Sequence, residues 1–105
     1  MDKPRQASEI NYTQCSIKSR FSHGYFRGKQ LQKVVEEMKL NILLARFLPL
    51  EIAKDPSDGK WYCRNNRSLY VFKEVEKVHH APILNMKEVV FSGRNRDSGL
   101  DVKIE

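Results

Sequence analysis

The chain has 105 residues, of which 40% are hydrophobic and 30% charged, and carries a formal net charge of +6. These values suit one globular domain with a modest core and favour a phosphate-bearing or polyanionic partner. A membrane-spanning protein is excluded, because no apolar run is long enough to cross a membrane and the apolar stretch at 40–50 is interrupted by Asn41 and Arg46. We expect an intracellular protein, cytoplasmic or nuclear, or a domain excised from a longer chain, because the N-terminus lacks the apolar core of a signal peptide. Cys15 and Cys63 are expected to be free thiols.

The first part of the chain predicts a tail, a strand and a loop. Residues 1–9 are polar and are expected to form a flexible tail, so the predicted domain spans residues 10–105. Residues 11–21 favour a short strand with an irregular exit. Residues 22–28 form a loop bounded by glycines.

The clearest helix is predicted over residues 29–40. Its apolar residues recur at i, i+3, i+4 and i+7, which places them on one face; they are Leu31, Val34, Val35 and Met38. Residues 42–47 are apolar but fit neither a helix nor a strand pattern decisively. Pro49 ends that stretch and pushes the preceding residue towards an extended form.

A hairpin and a second helix follow. Residues 50–54 and 60–64 alternate well enough to be strands, and the Asp-Pro-Ser-Asp-Gly turn at 55–59 joins them. Asn65-Asn66 breaks the alternation, and asparagine favours turns and helix caps. The period then becomes helical, so that one face carries Val71, Phe72, Val75 and Val78.

The last part of the chain predicts short strands at 80–86, 88–92 and 100–104, with a polar loop at 93–99 that carries Arg94 and Arg96. Strands, a helix, a hairpin, a helix and further strands in this order indicate a single α+β domain.

Two features point to an anion site. The strand that ends at Arg64 leads directly into a helix whose first turn contains Arg67, so free helix amides and a guanidinium would meet. The chain also has no acidic residue between Glu9 and Glu36. That stretch is either a binding face or an ordinary solvated face; its basic residues are Lys18, Arg20, Arg27, Lys29 and Lys33, with His23 among them.

Several of these segments resemble one family. They are Arg20-Phe21, the glycine-bounded loop, Pro49-Leu-Glu-Ile, Asp58-Gly-Lys-Trp-Tyr and Asn65-Asn-Arg-Ser-Leu-Tyr-Val-Phe-Lys73. Over roughly residues 14–104 the chain resembles the ParB/sulfiredoxin superfamily, and most of all its divergent small ParB-like proteins. The resemblance implies a small mixed sheet, two main helices and a C-terminal hairpin over 91–104.

The resemblance also implies a ligand. Superfamily members bind phosphate-bearing ligands at the start of the helix that follows the hairpin, and they include CTP- and DNA-binding partition proteins, ATP-using sulfiredoxins, nucleases and kinases. The Gly-Glu-Arg-Arg-like motif of ParB proteins would fall on Asn65, Asn66, Arg67 and Ser68, where only Arg67 carries over. The catalytic cysteine of sulfiredoxins would fall on Asn66, so sulfiredoxin chemistry is not expected.

We therefore expect phosphate or nucleic-acid contacts from two groups of residues. The first is the turn Asn65, Asn66, Arg67 and Ser68; the second is the basic first loop, with Arg20, His23, Arg27 and Lys29. Each of these side chains could instead be an ordinary capping residue or surface charge. No metal site is predicted, because adjacent His79 and His80 point apart on a strand and no further ligand spacing accompanies them.

The predicted function is nucleotide or nucleic-acid phosphate binding at a strand–turn–helix site. One alternative is a ParB-like nuclease or nucleotide-dependent phosphotransferase, with His23, Glu36 or Glu37 as the candidate acid–base groups and a nucleotide with Mg²⁺ as its cofactor. The other is a non-catalytic interaction module with a protein partner. Catalytic residues are not identified by the sequence, and no membrane partner is expected.

Overall fold

The computed structural model describes residues 3–4, 6–79, 86–94 and 99–105. Its helices and strands follow in chain order: β1 Ile10–Tyr12, β2 Ser16–Ile17, α1 Leu31–Leu40, β3 Leu50–Lys54, β4 Trp61–Cys63, α2 Asn66–Glu76, β5 Met86–Glu88 and β6 Lys103–Ile104. Two 3-10 helices, Ala7–Glu9 and Ile42–Phe47, complete the regular structure of these ranges. The predicted α+β class, with a small mixed sheet and two main helices, is confirmed.

The main sheet has the strand order β1-β4-β3-β5. The predicted hairpin is present as the antiparallel pair β3–β4. Both outer strands run parallel to their neighbours, β1 beside β4 and β5 beside β3. A parallel neighbour requires a crossover connection, and α2 lies in the connection between β4 and β5.

One face of this sheet packs against the helices. The strand register aligns Tyr12, Cys63 and Ile52 across three strands, and all three are buried in the core cluster. The helical stripe predicted for α1 is buried as expected, with Leu31, Val34, Val35 and Met38 at most 1% exposed. On α2 the stripe ends early. Val78 is 57% exposed because the helix stops at Glu76.

The other face of β4 is covered by residues 89–94. Tyr62, which points away from Cys63 on the alternating strand, is only 2% exposed. The Phe91 ring lies 6.3 Å from it and the Arg94 guanidinium 4.4 Å from its ring centre. The predicted strand at 88–92 is therefore wrong. β5 stops at Glu88, and the next residues cross the sheet.

The predicted C-terminal hairpin is also wrong in its pairing. β6 runs parallel to β2, with Ser16 opposite Lys103, in a separate two-stranded sheet. Before β6, the chain lies against β1 at Gly99, whose carbonyl accepts a 2.7 Å hydrogen bond from Tyr12 N. A Cβ at Gly99 would lie 2.5 Å from the Tyr12 carbonyl oxygen, so this close approach requires glycine.

Two predicted segments fall partly outside the described ranges. The strand predicted at 80–86 lies outside them except for Met86, which begins β5, and Arg96 of the polar loop lies outside them too. Of the predicted tail, Ala7–Glu9 form a 3-10 helix in which Ala7 is buried and Ser8 N donates to the Glu76 carboxylate at 3.2 Å.

Arg94 forms hydrogen bonds with two aspartates and so connects residues 89–94 to the β3–β4 turn. Arg94 Nε donates to Asp55 at 2.8 Å and its Nη2 to Asp58 at 3.1 Å. Asp55 is only 5% exposed and also accepts from the backbone and hydroxyl of Ser57. The hydrogen bond from Arg94, followed by those from Ser57, lowers the pKa of Asp55.

This cluster predicts acid lability. A carboxyl whose pKa is lowered on folding stabilises the fold above its ordinary pKa of 3.8 and loses that effect as the pH falls through its folded pKa. Asp55→Asn should therefore lower the urea midpoint by a constant amount between pH 5 and pH 7, and the gap to wild type should narrow below about pH 4. Urea unfolding at several pH values measures this. Glu74→Gln, at a half-buried position of α2 away from the Asp55 cluster, is the control. A pH-independent gap between Asp55→Asn and wild type would contradict the assignment.

Candidate functional site

A cavity of about 690 Å³ opens beside the start of α2. Its walls come from residues 14 and 16–18 around β2, the loop 21–26, residues 47–49 and the turn 64–68, with Glu105 at one side. Sites for small ligands have volumes of about 300–1,000 Å³ and are usually preformed. The cavity is therefore large enough for a small phosphate-bearing molecule.

The first turn of α2 brings unused hydrogen-bond donors to this cavity. The first backbone bond into the helix runs from Leu69 N to Asn65 O at 3.3 Å. Within the described ranges, no acceptor is bonded to the backbone amides of Asn66, Arg67 and Ser68. All three residues line the cavity, so an anion there would meet unpaired amides at the positive end of the helix dipole.

The side chain of Asn65 does not cap the helix, contrary to prediction. Its Oδ1 accepts from Glu51 N at 2.9 Å, and its Nδ2 donates to the Pro49 carbonyl at 2.7 Å. The side-chain amide of Asn65 thereby forms two hydrogen bonds with the backbone at the start of β3, as a neighbouring strand would do. The capping prediction fails because backbone groups on either side of Leu50, at the start of β3, occupy both ends of the side chain.

Asn66 has a similar structural role on the other side of the turn. It is 5% exposed, its Oδ1 accepts from Thr13 N at 2.8 Å, and its Nδ2 donates to Thr13 Oγ1 at 2.8 Å. The Thr13 hydroxyl in turn donates to the Cys63 carbonyl at 2.8 Å. The side chains of both asparagines thus bind the protein itself, and only the backbone of Asn66 remains available to a ligand.

Arg67 joins the helix start to the first loop. Its Nη1 donates to the Arg20 carbonyl at 2.7 Å, and its Nη2 donates to Ser22 Oγ at 3.2 Å. The same hydroxyl lies 2.8 Å from Nδ1 of His23, which lines the cavity as predicted for the first loop. A guanidinium has five N–H donors, so Arg67 keeps donors for a ligand while it holds the loop.

The other predicted cations lie elsewhere. Arg20 donates to the Gly28 carbonyl at 2.8 Å and Lys29 pairs with Glu37 at 2.8 Å. Neither these two nor Arg27 lines the cavity. The structure therefore does not bring these three cations to the cavity, since Arg20 bonds the backbone at the end of its own loop and Lys29 bonds a carboxylate of α1.

Two cations that the sequence reading did not place there, Lys18 and Arg64, do line the cavity. Arg64 ends the predicted strand next to the turn, and Lys18 falls in the acid-free stretch, so both positions were readable from the sequence. Lys18 Nζ lies 3.0 Å from the carboxylate of Glu105, which also accepts from Ser16 Oγ at 2.9 Å. The hydrogen bond from Lys18, followed by that from Ser16, lowers the pKa of Glu105. A solvent-exposed carboxylate, paired with Lys18, thus already lies at one side of the cavity.

Acid–base groups are few around the cavity. Of the described residues that line it, His23 and Glu105 carry the imidazole and carboxylate side chains that general acid–base chemistry commonly uses. Glu36 bonds Gln32 and Glu37 bonds Lys29 on α1, away from the cavity. In the ranges that the structure describes, no cluster of three or more His, Cys, Asp or Glu residues could hold a metal ion.

Cys63 lies behind the site and not within it. Its side chain is fully buried in the core cluster, and its Sγ donates to Asn65 Oδ1 at 3.4 Å. Burial is the main cause that raises the pKa of the thiol. A nucleophilic cysteine needs solvent access and a lowered pKa. Cys63 has neither property and packs in the core.

Comparison with known proteins adds no relative. No protein-family model matches the chain, and neither a curated protein nor a solved structure does. None of the helices in the described ranges is long and apolar enough to cross a membrane.

Proposed function

We propose that this domain binds the phosphate of a nucleotide or nucleic acid in the cavity at the β4–α2 turn. The observation that carries the proposal is that three unbonded helix amides and the open donors of Arg67 belong to one cavity of about 690 Å³. A helix start supplies aligned N–H groups and a positive partial charge, and arginine adds a charge-assisted fork.

The charge around the cavity supports the same ligand class. Of the described residues, Lys18, Arg64 and Arg67 bring positive charge to its lining and Glu105 brings a carboxylate. The Lys18–Glu105 pair leaves the two arginines as the uncompensated charge on the lining, apart from a 3.9 Å contact of Arg64 with Glu51. A dianionic phosphate would restore the balance of charge in the cavity.

The resemblance to small ParB-like domains agrees with this position. In that superfamily the phosphate lies at the start of the helix after the hairpin, and here α2 follows the β3–β4 hairpin. Binding is better supported than catalysis, because two of the three candidate acid–base groups, Glu36 and Glu37, bond to Gln32 and Lys29 away from the cavity. Of the three, His23 is the one that lines the cavity. We therefore propose a ParB-like phosphate-binding domain.

Replacement of Arg67 tests this proposal. Loss of a charge-assisted bond costs about 1.5–3 kcal/mol, which is roughly ten- to a hundredfold in affinity. Arg67→Ala should weaken ATP or tripolyphosphate binding by that factor, and Arg67→Lys should recover only part of it, because lysine offers a point charge and no fork. Isothermal titration of the folded variants measures both effects.

The matched control is Arg27→Ala, which removes an exposed guanidinium outside the cavity. It changes the net charge equally and should leave the affinity almost unchanged. Equal affinities in wild type, Arg67→Ala and Arg67→Lys would refute the phosphate site and leave Arg67 as a residue that only fastens the loop through Arg20 and Ser22.

Glu105 provides a second test with the opposite sign. Its carboxylate repels an incoming phosphate and holds Lys18, so Glu105→Gln should tighten tripolyphosphate binding by roughly two- to fivefold at low salt. The gain should shrink as salt screens the charges. Glu74→Gln removes the carboxylate of a comparable pair, 2.9 Å from Lys77 and outside the cavity, and should have no effect. Unchanged or weaker binding in Glu105→Gln would show that this carboxylate does not oppose the ligand.

A further inference from the structure

Two aromatic rings stack at the cavity. The rings of Tyr25 and Phe47 lie 4.3 Å apart between centres and are tilted by only 12°. Both residues line the cavity, yet Tyr25 is 62% exposed and Phe47 38% exposed. The stack therefore presents aromatic surface to solvent at the same opening that receives the helix amides.

The exposed stack is anchored on the protein side. Phe26, which is 2% exposed, meets the Tyr25 ring edge-on at 5.0 Å. The Arg46 guanidinium lies 5.1 Å from the centre of the Phe47 ring. These contacts hold the rings in position before any ligand arrives, which reduces the entropy lost on binding.

The stack is close to the anion end of the cavity. Arg67 bonds Ser22, and Tyr25 is three positions further along the chain. That length of backbone extends at most about 11 Å. A phosphate near Arg67 and a flat ring against Tyr25 would therefore fall within the reach of one nucleotide.

We infer that the Tyr25–Phe47 stack is a base-binding subsite and that the ligand is a free nucleotide whose base stacks on Tyr25. The inference rests on the proposed function, which supplies the phosphate end. Stacking of a base on an exposed aromatic ring stabilises binding with little regard to base identity. The volume of the cavity fits one nucleotide-sized molecule, and a base that is paired in a duplex has no open face for Tyr25.

The test compares ATP with inorganic tripolyphosphate, which has the same chain of phosphates but no base. Wild-type protein should bind ATP roughly ten- to a hundredfold more tightly than tripolyphosphate. Tyr25→Ala should abolish this difference without changing the affinity for tripolyphosphate, whereas Tyr25→Phe should keep it. Leu43→Ala is the control, because Leu43 is 60% exposed, lies in the same 3-10 helix as Phe47 and does not line the cavity.

A spectroscopic readout accompanies the affinities. ATP should shift the ring proton resonances of Tyr25 upfield, and tripolyphosphate should not. Equal affinities for the two probes in wild type, or equal weakening of both by Tyr25→Ala, would overturn the base subsite while leaving the phosphate site intact. Failure of both probes to bind would overturn the phosphate site and the base subsite together.

Discussion

The candidate site depends on the way in which two asparagine side chains hold the turn between β4 and α2. Asn65 bonds the backbone on either side of Leu50, and Asn66 bonds Thr13 after β1. The turn is thus fixed to both strands that flank β4 in the sheet. Because these side chains are occupied, neither can satisfy the first amides of α2, and the helix begins uncapped beside a cavity. Unsatisfied donors at a helix end require a partner, which water or a ligand provides.

Arg67 connects this turn to the wall opposite. Its bonds to Arg20 and Ser22 fix the start of a loop that the backbone also closes, since Gly28 N donates to the Phe21 carbonyl at 2.9 Å. Gly28 adopts a φ of +83°, which favours glycine at the end of this loop. The loop carries His23 and Tyr25 to the cavity. One arginine therefore positions the loop and offers its remaining donors to the same space, so loop order and ligand binding are expected to be coupled.

Much of the fold could be predicted because it depends on local periodicity. The apolar stripe of α1, the β3–β4 hairpin and the change from strand to helix near Asn65 each follow from neighbouring residues. The pairing of β6 could not be predicted, because it involves two residues on each strand and a parallel partner almost ninety positions away. The apolar face predicted for α2 includes Val78, which lies beyond the end of the helix, because periodicity alone does not mark the end at Glu76.

The turn beside which the cavity lies could be predicted from the sequence, but most of the contacts around it could not. Arg67 and the turn were found from sequence, since a strand, a polar turn and a helix start coincide there. The hydrogen bonds of the Asn66 side chain could not be predicted, because its partner Thr13 is 53 residues away in the sequence. The stretch without acidic residues looked uniformly basic, yet the fold brings Glu37 to Lys29 and Glu105 to Lys18. Part of the charge that is unbalanced along the chain is therefore paired in space.

The central claim is that a phosphate binds the first turn of α2, and an amide-resolved NMR titration tests it most directly. With isotopically labelled protein and tripolyphosphate, the account predicts the largest chemical-shift changes at the backbone amides of Asn66, Arg67 and Ser68, saturating together with those of the loop at Ser22 and His23. Titrations with ATP, CTP and short DNA should change the same amides if they carry the ligand's phosphate. Saturable changes confined to other surfaces, or no change at these three amides, would contradict the account.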